Sequence, residues 1–200
     1  MRHIPFLLIY SRILIAVIIG VFAFYEVNHY NIWIVVLMII GLLTDVFDGI
    51  VARKLGVSSE KLRVWDSNVD LFFWLATITS VFYLNFSFVK AHFVWIGIIV
   101  LFELLSYLLS YLKFKKTIAT HSILAKLWTL SLLVFLIDLC LNSTSHIAFV
   151  ICIVLGLISR VEILLIILGL KKWTTDVPSI FAVSNINKGL PVKKNKLFNS

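Results

Sequence analysis

Four aspartates, Asp45, Asp48, Asp66 and Asp70, fall within the stretch DVFDGIVARKLGVSSEKLRVWDSNVD, at the border of two segments built almost wholly from Leu, Ile, Val and Phe. On a helix advancing 100° per residue, and with Asp45 at zero, Asp48 lies at about 300°, Gly49 at about 40° and Ala52 at about 340°. Two acids and two small residues thus share one stripe. Asp66 and Asp70 are one turn apart on the following segment and also share a face. If the two helices pack with these stripes facing, four carboxylates converge beside the space that Gly49 and Ala52 leave open. Unpaired carboxylates near a low-dielectric boundary repel one another, so the arrangement requires positive charge. An all-oxygen donor set without His or Cys suits a hard divalent cation, Mg²⁺ or Mn²⁺. Two such ions would balance four negative charges and grip a diphosphate during an in-line displacement. Arg53, next to Ala52, can give charge-assisted hydrogen bonds to phosphate. The plainer alternative is a set of solvated helix ends neutralised by Arg53, Lys54, Lys61 and Arg63. Asp45 argues against it, being eight residues before Arg53 and so about 12 Å up the helix.

The elements that carry these residues are membrane spans. Hydrophobic residues make up 61% of the 200 and charged ones 14%, against roughly a quarter charged in soluble domains. Runs long enough to cross a bilayer, each of about 20 residues, can be placed at 6–27, 31–52, 66–86, 91–112, 123–141 and 147–170. The predicted fold is therefore all-α: a polytopic membrane protein with six transmembrane helices and a site cavity facing the cytoplasm. Residues 1–170 would form the catalytic domain and 171–200 a basic cytoplasmic tail, partly disordered and attracted to anionic headgroups. The first run is interrupted by Arg12 and lacks a small-residue cleavage site, which argues against a removable signal peptide. Gly56 is expected to end the second helix and Ser58 or Ser59 to cap the third. Cys140 and Cys152 read as packing residues, and the five histidines are too scattered for a transition-metal site. The net charge of +8 does not follow one helical face, so nucleic acid is not an expected partner. With the N-terminus in the cytoplasm, the basic residues crowd the inner loops and only Lys90 falls in an outer one, as the positive-inside rule requires.

The stretch resembles the signature of CDP-alcohol phosphatidyltransferases, D-x2-D-G-x2-A-R-x8-G-x3-D-x3-D. Asp45, Asp48, Gly49, Ala52, Arg53, Asp66 and Asp70 fall in register, and Leu62 replaces the second glycine. The N-terminal PFLLIYSR has the spacing of the family's P-N-x-x-T-x-x-R element, with Pro5 and Arg12 kept and Phe6 and Ile9 in place of polar residues. AKLW, with Lys126, is similar to the basic element that starts the family's fifth helix. The resemblance implies that Asp45, Asp48, Asp66 and Asp70 bind two divalent cations, that Asp70 is also the base for the acceptor hydroxyl, and that Gly49, Ala52 and Arg53 contact the cytidine diphosphate group. It implies a CDP-linked lipid donor such as CDP-diacylglycerol, an alcohol acceptor, release of CMP and a homodimer. The expected location is a bacterial inner membrane, with the site on the cytoplasmic side.

Glu103, Asp138, Arg160 and Glu162 interrupt apolar runs, where ionisable groups are costly. Lys126 and Arg160 suit an acceptor that carries its own phosphate, such as a polyol phosphate like glycerol 3-phosphate; alternatively, Arg160 and Glu103 form a structural ion pair. Trp33, Trp65, Trp95 and Trp173 read as interfacial anchors. Two rival functions remain at this level: a cation transporter, which would place its acids near the midplane on broken helices, and a catalytically silent lipid-binding relative, suggested by Leu62.

Overall fold

The computed structural model describes residues 4–55, 60–116, 122–174 and 177–190, with the side chains at 4, 5, 52–54 and 60–63 outside that description. Six long helices follow one another: α1 (Ile4–Tyr25), α2 (Tyr30–Lys54), α3 (Glu60–Leu84), α4 (Phe86–Phe114), α5 (Ile123–Asn142) and α6 (Ile147–Gly169). A 3₁₀ turn, Ile180–Ala182, leads into a short α7 (Val183–Asn187). All six long helices are apolar and long enough to cross a bilayer, and the described residues contain no strand. Large apolar side chains such as Leu7, Leu14, Phe24, Leu104 and Leu168 are exposed. On a chain of this composition these are the surfaces that face lipid.

The chain divides into two compact units, Met1–Lys90 with Leu136–Thr144, and Ala91–Phe135 with Ser145–Ser200. In the first, α1 packs closely against both α2 and α3, while α2 and α3 approach each other at far fewer places. The expected direct pairing of α2 with α3 is thus modified: α1 is their common neighbour. Because nearly every residue is apolar, what separates buried from exposed positions is helical spacing. The buried stripe of α1 runs Ile9, Arg12, Ala16, Ile19, Ala23, that of α2 runs Ile34, Met38, Gly41, Asp48, and that of α3 runs Val69, Phe73, Thr77, Ser80. Each follows the three-and-four spacing of one helix face. Gly41 lets the Phe73 ring of α3 lie against α2, since a Cβ there would run into that ring.

In the second unit the Arg160 guanidinium pairs with Glu103 at 2.7 Å and lies 4.4 Å over the Trp128 ring. Gly156 accommodates Trp128, whose Nε1 would be 2.7 Å from an added Cβ. The Lys113 ammonium donates to the carbonyls of Ile167 at 2.9 Å and Leu168 at 2.6 Å, satisfying acceptors that the last turn of α6 leaves free. Beyond α6 the chain folds back: Val177, Ala182 and Val183 pack with Ile166 and Leu170. The Ile180 amide donates to Glu162 Oε1 at 3.3 Å, and Asn187 Nδ2 to the Gly169 carbonyl at 2.8 Å. Residues 177–190, expected only as part of a polar tail, therefore include a folded segment.

The fourth span begins earlier than periodicity suggests. Asn85 turns the chain, its Nδ2 donating to the Val81 carbonyl at 3.0 Å, and α4 starts at Phe86. Lys90 is consequently helical, and the irregularity falls at His92, where α4 kinks (φ −117°, ψ 15°) beside Phe149, with ring centroids 4.7 Å apart. Both cysteines are free and buried, in keeping with a packing role. Gly56, Ser58 and Ser59, the expected stop and cap between α2 and α3, lie outside the described residues.

Candidate metal centre and active site

Three helices deliver charged groups to one level of the first unit. Arg12 is eight residues into α1, Asp45 nine before the end of α2, and Asp66 six into α3, all roughly 9–14 Å from those helix ends at 1.5 Å per residue. Asp45 and Asp48 extend the buried stripe of α2, and Asp66 and Asp70 begin that of α3. Ile9 and Ile13 of α1 pack with Val69 of α3 beside the charged layer, which sets the depth at which the Arg12 side chain meets the acids.

Its guanidinium is fully buried and pairs with all four aspartates: Nη1 with Asp45 at 3.0 Å, Nη2 with Asp48 at 2.6 Å, and both Asp66 and Asp70 in direct contact. Arg12 Nε has no partner. Asp45, Asp48 and Asp66 each bring a carboxylate oxygen within 4.8 Å of the others. Asp70 reaches the same guanidinium but is not in that group of three. The Asp48 side chain is 3% exposed, whereas Asp45, Asp66 and Asp70 keep 37%, 26% and 26%. The acids are therefore held from the buried side and reachable from the other.

The donor set fits a divalent cation. Among the described side chains one guanidinium faces four carboxyl groups, a formal excess of three negative charges when all are ionised, which is costly in a partly desolvated site. Carboxylate oxygens of Asp45, Asp48 and Asp66 all within 4.8 Å of one another are close enough for the three residues to share one ion. The expected ion is Mg²⁺ or Mn²⁺ because every donor is a carboxylate.

The other predicted site residues are distributed as follows. Gly49 is half-buried on α2; Ala52 and Arg53 belong to the last turn of α2 and Leu62 to the first turns of α3, and their side chains lie outside the described residues. Lys126 is half-buried on α5 and Arg160 buried on α6, both in the second unit. Arg160 has the Glu103 partner that its alternative reading supplied. Arg12, which pairs with all four aspartates, is the side chain that motif reasoning left at the margin. Its signal is an arginine inside an apolar run, in helical register with Ile9, Ala16 and Ile19.

Six helices of bilayer length and a partly open acidic centre that could hold a metal ion define an integral membrane protein with a candidate metal site. The family model for CDP-alcohol phosphatidyltransferase matches residues 2–161, and the chain belongs to that family. This makes it a membrane transferase of phospholipid synthesis, from a family that typically uses a divalent metal. No curated protein and no solved structure gives a significant match.

Proposed function

We propose that the protein transfers a phosphatidyl group from CDP-diacylglycerol, or a related CDP-linked lipid, to a small alcohol and releases CMP. The observation that carries this reading is the convergence of Asp45, Asp48, Asp66 and Asp70, from two helices and in signature spacing, on one partly open site. The divalent metal, when bound, supplies charge stabilisation for the oxygens of the displacement. Asp45, Asp48 and Asp66 would hold it, and Asp70, outside that group of three, would serve a second ion. Asp70 also takes the proton from the acceptor hydroxyl. That oxygen forms a bond to the lipid-linked phosphorus, the bond from this phosphorus to the bridging oxygen breaks, and CMP leaves with that oxygen. Gly49 and Ala52 leave room for the cytidine diphosphate group, and Arg53 hydrogen-bonds its phosphate. The acceptor is a polyol phosphate, such as glycerol 3-phosphate; the cationic candidates for its phosphate are Lys126 and Arg160, the latter already paired with Glu103. The site faces the cytoplasm of a bacterial cell, and the working form is a homodimer.

Purified protein incubated with CDP-diacylglycerol, Mg²⁺ and a panel of alcohols is expected to release CMP fastest with a phosphorylated polyol. Asp70→Asn should lower the maximal rate by about 10² or more, the scale of lost general-base catalysis. Undiminished turnover in that variant would remove Asp70 from the base role, and CMP release with no acceptor dependence would overturn the transferase reading.

A further inference from the structure

We infer that Arg12 is an internal counter-ion of the acidic centre, one that an incoming divalent cation must displace from the carboxylates. The inference rests on the metal-binding reading above and concerns what occupies the site before the ion arrives. Nη1 and Nη2 are engaged with the three aspartates, Asp45, Asp48 and Asp66, whose oxygens stand within 4.8 Å of one another. Ion and guanidinium therefore draw on the same three carboxylates. Two positive groups drawn to the same carboxylates repel one another at close range, the more so in a partly desolvated site.

The side chain is placed for this work by the fold. Arg12 lies on the buried stripe of α1, the helix that packs against both α2 and α3, so its position is set by the packing that brings the acids together. Full burial denies it water, and without the carboxylates the charge would be unsupported. The reverse also holds: with no cation of any kind, four aspartates on two helices would push those helices apart. A guanidinium, planar and with five donors on three nitrogens, spans more carboxylates than the three donors of an ammonium's single nitrogen can. Arg12 thus keeps the centre assembled when metal is scarce, at the cost of weaker metal binding. In this role it is a positioning residue: it shapes the site through the aspartates.

The test uses the full-length protein in lipid nanodiscs, purified in Mg²⁺ and then chelated, with Mn²⁺ binding followed by electron paramagnetic resonance and unfolding followed by thermal melts. Arg12→Met is expected to bind Mn²⁺ more tightly than the natural protein by about tenfold or more, because the competing charge is gone. Its chelated form should melt lower, and saturating Mn²⁺ should narrow the gap. Arg12→Lys, which keeps the charge but not the fork, should show a smaller gain in affinity and provides the comparison if the chelated methionine variant unfolds. Equal or weaker Mn²⁺ binding in both variants overturns the inference and leaves the metal site standing. No Mn²⁺ binding to any of the three proteins overturns the metal site itself, and this inference with it.

Discussion

Burying a guanidinium among apolar helices is tolerable only when carboxylates meet it, and the chain does this twice with opposite consequences. Arg160 has one partner, Glu103 at 2.7 Å, and a tryptophan face; its charge is balanced and the pair reads as a strut. Arg12 has four aspartate partners, a formal surplus of negative charge among the described side chains. Removing one member of the strut should be expensive: Arg160→Met is expected to cost about 3–5 kcal/mol, and the Arg160→Met/Glu103→Gln double variant to regain most of it. Chemical denaturation in detergent, read as a double-mutant cycle, checks this; a double variant no more stable than Arg160→Met would remove the pair from that role. The aspartates are legible in the amino-acid sequence because four acids in a lipid-bordering stretch need a reason. The part played by Arg12 is not, because a lone arginine in an apolar run does not disclose the rotation of its helix. For the same reason the sequence nominates Lys126 and Arg160 for the acceptor by position and charge alone.

At the scale of elements, the stripes decide where chemistry can happen. Gly41 lets the Phe73 ring of α3 lie against α2, and Gly20 has a different neighbourhood, with Ser80 Oγ 4.0 Å from an added Cβ. Gly41→Leu is therefore expected to lose about 1–3 kcal/mol through overpacking and to lower CMP release by disturbing the α2–α3 register. Gly20→Ala should be neutral or slightly stabilising, by up to about 1 kcal/mol from helix propensity. Thermal melts of the two variants distinguish these outcomes, and equal stability would mean that the approach at Gly41 does not govern packing. The spans are recoverable from hydropathy because each is close to bilayer length. Their edges are not: the turn at Asn85 uses a single residue, and hydropathy cannot separate a charged helical turn at Lys90 from a loop. The segment after α6 reads as a tail for a related reason, since the hydrogen bonds from Ile180 and Asn187 that fold it back involve partners 18 residues away. Periodicity carries no trace of such contacts.

At the scale of the whole molecule, six bilayer-length spans and the family together define an integral membrane transferase, and the lysines set its expected orientation. Lys115 and Lys116, after α4, and Lys171 and Lys172, after α6, are exposed at ends that alternate with the end bearing Lys90. In intact cells or oriented vesicles, Lys116→Cys is expected to be labelled from the cytoplasmic side by a membrane-impermeant maleimide and Lys90→Cys from the opposite side; the reverse pattern would invert the topology. The buried Cys140 and Cys152 should contribute little background. Six spans and the signature are readable from the chain because both are local in sequence, whereas the acceptor depends on the three-dimensional assembly of polar groups from several helices. The central claim, that the four aspartates carry a metal-dependent phosphatidyl transfer, is tested most directly by CMP release from CDP-diacylglycerol as Mg²⁺ is titrated, in the natural protein and in Asp45→Asn, Asp48→Asn and Asp66→Asn, with Asp138→Asn as an acidic control. Turnover in the natural protein and the control should rise from nothing to saturation with Mg²⁺, and each of the three variants should fall by about 10² or more, as expected when charge stabilisation worth several kcal/mol is lost. Metal-independent turnover, or full activity in those three variants, would contradict the account.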